Sequence, residues 1–139
     1  MSVPRGIRNN NPGNIDHNSA NAWEGELPVD KSIESRFARF DLPENGIRAL
    51  GKLLLTYQRK YGLKTIEGLI SRWAPSNEND TAAYVRSVQS KTKTAPGQEV
   101  DLRQIGIMTG VVKAIIEHEN GGNPYTSAIV AEGVRRALV

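Results

Sequence analysis

Apolar residues fall into two regimes along this chain. After Asp41 they recur at steps of three and four, the spacing of one helix face; before it they show no such period. Ile47, Leu50, Leu54, Tyr57 and Tyr61 mark one face of a helix that Gly62 can stop. Asp41-Leu42-Pro43-Glu44, just ahead, resembles a capping box with proline in the first turn. Thr65 predicts the cap of a second helix through Ile66, Leu69, Ile70 and Trp73, which Pro75 ends. Asp80 or Asn79 caps a third, with Tyr84, Val85 and Val88 facing inward, and residues 91–99 read as a polar surface loop. Asp101-Leu102-Arg103-Gln104 fits a second capping box, opening a helix that runs to Glu119. Thr126 caps a last helix with Ile129, Val130, Val134, Ala137 and Leu138 toward the core.

Residues 1–35 are rich in asparagine and glycine instead. Asn9-Asn10-Asn11-Pro12-Gly13-Asn14 reads as consecutive turns. Short extended pieces are expected around Ile15, from Trp23 to Leu27 and from Ser35 to Phe40, together making a small irregular β-hairpin. The expected fold is therefore α+β but mostly α: one domain over 1–139, with a loop and hairpin part at 1–40 and a helical part at 41–139.

The bulk properties narrow the function classes. A chain of 139 residues suits one domain with its own core. It contains no cysteine, which excludes disulfides and thiolate metal sites. No run approaches a membrane span, and Met1-Ser2-Val3-Pro4-Arg5-Gly6 lacks the apolar core of a secretory signal. Synthesis in the cytoplasm is expected, with any work outside needing another export route. The net charge of +3 favours anionic partners weakly. Arg86, Lys60, Lys91 and Lys93 are scattered among acids, so no nucleic-acid interface is expected. The two histidines, His17 and His118, do not make a zinc ligand set, and no metal or other cofactor is expected.

One acid breaks the helical pattern. Ile105, Met108, Val112 and Ile115 form a stripe whose next position is Glu119, on the last turn before Gly121-Gly122. Burial and the negative end of the helix dipole both act against ionisation there. A carboxyl kept protonated near neutral pH is what a glycosidase uses as its proton donor. The alternative is a side chain at a fraying helix end that bends into water. Glu117 points to another face. Glu78, in Trp73-Ala74-Pro75-Ser76-Asn77-Glu78-Asn79-Asp80-Thr81, is a reserve acid in a segment that also reads as an elaborate helix cap. Trp23 fits a cleft wall or a hairpin core equally well. Asn77, Tyr84, Asn120 and Tyr125 complete the candidate substrate contacts.

Glu119-Asn120-Gly121-Gly122-Asn123-Pro124 is similar to the Glu-Ser-Gly-Gly-Asn-Pro run that ends the active-site helix of many lytic transglycosylases. Asn10-Asn11-Pro12-Gly13-Asn14-Ile15, Trp23-Glu24-Gly25 and Phe37-Ala38-Arg39-Phe40-Asp41 resemble a series found in bacterial glucosaminidases. With Gly46-Ile47-Arg48-Ala49 and the 73–84 segment, nearly the whole chain resembles virion-associated, lysozyme-like phage lysins. The resemblance implies a lysozyme-like fold. It also implies one catalytic glutamate, Glu119, cleaving the β-1,4 bond between N-acetylmuramic acid and N-acetylglucosamine in peptidoglycan glycan strands. Phage virion components are the other implied partner, and the bacterial cell wall is the implied place of action. The hairpin segment precedes the glutamate helix, the reverse of the lysozyme-like order, which implies a circular permutation. Asn120 replaces the family's serine. A muramidase-type hydrolase, with Asp16, Glu24 or Glu26 across the cleft, is one alternative. A glucosaminidase, or a non-catalytic virion or wall-binding module of the same fold, are others.

Overall fold

The structure is a computed structural model that describes residues 3–139. It contains six helices: α1 (Arg5–Arg8), α2 (Pro43–Tyr61), α3 (Ile66–Trp73), α4 (Thr81–Thr92), α5 (Ile105–Asn120) and α6 (Ser127–Leu138). The five longer ones lie where the apolar periodicity puts them. Thr65 caps α3 by accepting from the Gly68 amide at 3.1 Å, Asp80 caps α4 from Ala83 at 3.1 Å, and Thr126 caps α6 from Ile129 at 3.2 Å. The two capping boxes do not form. Leu42 and Gln104 occupy the cap positions without side-chain bonds. Asp41 instead accepts from the Asn45 side chain, and Asp101 from the Arg103 amide. Gly62 and Gly121 end α2 and α5 in the left-handed conformation, at φ of 62° and 70°.

α5 is the central element. Met108, Val111, Val112, Ala114, Ile115 and Ile116 are all buried, on several sides of the helix, as expected of one surrounded by others. It contacts α4, α6, α2 and α1. Ile105, the predicted start of its stripe, is 60% exposed, because the core begins one turn later at Met108. α2 and α6 form the most extensive helix pair. Their backbones come close because a Cβ on Gly133 would stand 2.4 Å from the Ile47 side chain. On α2 the stripe is buried at Ile47, Leu50 and Leu54, half-buried at Tyr57 and exposed at Tyr61. Among the described residues no helix is both long and apolar enough to cross a membrane.

The expected α+β class with an N-terminal hairpin is not what the structure contains. Among the described residues there is no sheet, only isolated bridges at Asp16–Phe37, Glu26–Phe40 and Thr65–Glu99. The fold is all-helical, with an irregular polar-stitched segment before α2. The reason lies in how residues 35–41 find partners. Ala38 donates to Ile15 and His17 to Arg36, but Phe40 donates to Asn9, Leu27 to Arg39 and Asp41 to Gly25. Each bridged partner stays for the two bonds of a single pair and then changes. Asn10 and Asn14 are left-handed, both at φ 51°, and break any continuous strand between them.

Side chains replace the missing ladder. Asn11 is fully buried; its amide donates to the Ile15 and Ala38 carbonyls, and its oxygen accepts from the Ile15 amide. Glu34 is also buried and gathers Arg5, Asn9 and the amides of Arg36 and Phe37. The Arg5 guanidinium, ahead of the other donors and against the effect of burial, holds the Glu34 carboxyl far below the usual carboxylate range. This segment lies against α2 at one backbone-to-backbone contact: a Cβ on Gly46 would sit 1.8 Å from the Asn10 carbonyl oxygen, so only glycine fits.

Candidate functional site

The end of α5, the N-terminal segment and the 73–79 loop meet at a cleft of about 640 Å³, within the size range of small-molecule sites. Glu119 lines it, placed there by the last turn of α5. The side chain is partly buried and both of its oxygens are bonded. Asn14 donates its amide to Oε1 at 3.2 Å, and the Tyr84 hydroxyl donates to Oε2 at 3.1 Å. The left-handed turn at Asn14 positions the first donor, and the buried face of α4 positions the second. Burial first, and then the neighbouring Glu119 carboxylate, push the Tyr84 hydroxyl far above its ordinary value, with Trp73 opposing. Tyr84 therefore stays a neutral donor across the whole working range of pH.

The rest of the lining is amides, aromatics and charge. Asn18, Asn21 and Asn79 join Asn14, while Phe37, Tyr57 and Trp73 supply ring surface. Asp16 and Glu78 are the other acids. Asp16 is paired with Arg36 at 2.5 Å, and Glu78 adds to the negative field around the same guanidinium. Glu119 is thus the lining carboxylate held by neutral donors alone. Such a set can bind hydroxyl and acetamido groups through the amides, stack apolar ring faces on the aromatics, and move a proton at Glu119.

The predicted residues separate into two groups. Glu119 and Glu78 share the cleft, the latter on its exposed rim. Tyr84 reaches it only through its hydroxyl on Glu119, since the residue is fully buried. Asn120 does not line it. Its amide donates to the Pro12 and Ile116 carbonyls, at 2.8 and 2.9 Å, and fastens the end of α5 to the N-terminal segment. Trp23 packs partly buried against the core, and Tyr125 does likewise, burial pushing its hydroxyl up to about 12. Asn77 is exposed and outside the lining. Glu117 pairs with Lys91 on the surface at 3.0 Å, and His118 stacks on the Tyr84 ring with centroids 3.7 Å apart.

Sequence reading passed over Asn14, Asn18, Asn21, Asn79, Tyr57 and Phe37 as cleft residues. The asparagine run carried a turn signal but no sign of where its amides point, and Tyr57 read as an ordinary core position. A larger hollow of about 770 Å³ lies between the C-terminal part of α2, residues 98–104 and the end of α6. It holds none of the predicted residues, and Asp101 on its wall is paired with Arg103.

Fold and site together define an all-helical domain with one donor-held glutamate lining an amide-rich and aromatic cleft. Over 131 residues the chain is 44% identical to "Protein P5" of Pseudoalteromonas phage PM2, covering 93% of this chain and 79% of that protein. The chain belongs to the family of this phage protein. No family model matches it.

Proposed function

We propose that this protein is a peptidoglycan glycosidase acting on the β-1,4 bond between N-acetylmuramic acid and N-acetylglucosamine, with Glu119 as its single acid/base. The observation that carries the reading is the pair of neutral donors on Glu119 in the lining of a sugar-sized cleft. Asn14 holds one oxygen and fixes the carboxyl plane. The proton leaves the other for the glycosidic oxygen, and the Tyr84 hydroxyl stabilises the carboxylate that the transfer creates. That carboxylate then takes a proton from the muramoyl 6-hydroxyl, which closes on the anomeric carbon and leaves a 1,6-anhydro end. The lytic transglycosylase route is preferred because, of the two other acids in the lining, Asp16 is engaged by Arg36 and Glu78 stands on the exposed rim. With a water in place of the 6-hydroxyl the same site is a muramidase. Action on the cell wall, from a phage particle or at host lysis, follows from this reading together with the kinship to a phage protein.

Zymography on a peptidoglycan gel tests it. The wild-type chain should clear the gel and Glu119→Gln should not, with a loss of at least about a thousandfold expected for removal of the sole acid/base. Clearing by Glu119→Gln but not by Glu78→Gln would move the role to Glu78. No clearing by the wild type would favour a wall-binding module.

A further inference from the structure

The cleft has an aromatic extension that carries two cations, Arg72 and, 5.5 Å from the Tyr61 centroid, Lys60. Trp73, Tyr57 and Tyr61 form a row, with successive ring centroids 6.4 and 6.2 Å apart. The first two rings line the cleft with Glu119; the third stands outside it and is 42% exposed. The Arg72 guanidinium lies 3.6 Å from the Tyr61 centroid and 5.3 Å from that of Tyr57. Arg72 is exposed, and among the described residues no carboxylate stands within ion-pair reach of it. Arg36, on the cleft wall, is by contrast engaged by Asp16. A cation–π seat holds a guanidinium in place without using any of its five N–H donors. Those donors form a fork that matches a carboxylate.

We propose that Arg72, seated on Tyr61 and Tyr57, is a carboxylate receptor that makes this cleft prefer acid-bearing glycan strands to neutral ones. The inference rests on the reading of the cleft as a glycan site and deepens it. The strand lies along the aromatic row, and a carboxylate on one of its substituents meets the guanidinium. In peptidoglycan that carboxylate has two sources, the muramoyl lactyl group once freed of its peptide, and the peptide stem itself.

The test uses the full chain carrying Glu119→Gln, so that strands are bound and not cut. Three fluorescent probes of matched length are titrated at low salt: peptide-bearing glycan strands, amidase-stripped strands and chitooligosaccharides. Acid-bearing strands should bind about tenfold more tightly than the neutral ones, the scale of one charge-assisted pair. Adding Arg72→Gln should erase that difference, while Arg59→Gln, a change on α2 at the wall of the other hollow, should keep it. Preference for the amidase-stripped probe alone assigns the lactyl carboxylate, preference for the peptide-bearing probe alone assigns the stem, and preference for both means that the guanidinium takes either carboxylate. A preference that survives Arg72→Gln, that Arg59→Gln removes equally, or that is absent from the start overturns the inference. Strand cleavage by the wild-type chain is followed alongside. Cleavage with an indifferent Arg72 sinks this inference alone; Arg72-dependent binding without cleavage sinks the glycosidase reading alone.

Discussion

The segment before α2 and the helices after it are held together by different physics. From α2 to α6 the chain is fixed by apolar burial and by three side-chain caps, with Leu50, Leu54, Met108, Val112 and Ile115 fully buried. Residues 5–41 contribute Ile15, Ala38 and Phe40 to the same core, but their path is set by buried polar side chains, chiefly Asn11 and Glu34. Burial of apolar surface tolerates many sequences and leaves a periodic trace. A polar hub demands particular partners, leaves no period, and fails when one partner is lost. The cleft lies on the seam between the two: Glu119 comes from the first regime and Asn14 from the second.

This contrast can be broken in graded ways. The largest effect on stability is expected in the helical core. Leu50→Ala should cost about 2–5 kcal/mol and lower the melting temperature of the whole chain as one transition. Glu34→Gln comes next, at about 2–4 kcal/mol, below the full cost of breaking a buried ion pair because Arg5 is partly exposed. Its effect should be confined: by hydrogen exchange, amides of residues 9–40 should lose protection while those of α5 keep theirs. Equal loss in both would mean that the hub and the core are one cooperative unit. Acid should repeat this result in the native chain. Since folding depresses the Glu34 carboxyl below its ordinary value of 4.5, its contribution is complete above that pH and is lost as pH falls below it. The N-terminal segment should therefore open first on acidification, and Glu34→Gln should remove that acid-sensitive step. The smallest effect belongs to a single cap: Thr65→Ala should cost about 1 kcal/mol, readable as a modest shift in the denaturant midpoint.

The same contrast explains what was legible in the sequence. Helices α2 to α6 were visible because their faces repeat and because Thr65, Asp80 and Thr126 sit where caps are needed. The hairpin was expected from alternation between Ser35 and Phe40, and the alternation is real in part, with Ala38 and Phe40 buried. It does not make a sheet because no segment stays beside it for two successive rungs, and alternation says nothing about the partner. Phe37, which alternates with Ala38 and Phe40, lines the cleft, with the Arg5 and Arg36 guanidinium groups 4.6 and 4.8 Å from its ring centroid. Glu119 was legible as an acid in an apolar series. Its two donors were not, being 105 and 35 residues away in sequence. Asn120 and Tyr125, close to Glu119 in sequence, are not in the cleft lining: Asn120 bonds the Pro12 carbonyl and Tyr125 packs against the core.

The central claim is that Glu119 moves a proton on a glycan strand. Mass analysis of the fragments released from purified peptidoglycan tests it most directly. The wild-type chain should release muropeptides ending in 1,6-anhydromuramic acid, and Glu119→Gln, folded and with the same melting temperature, should release none. Fragments released equally by both chains, or by neither, would contradict the account.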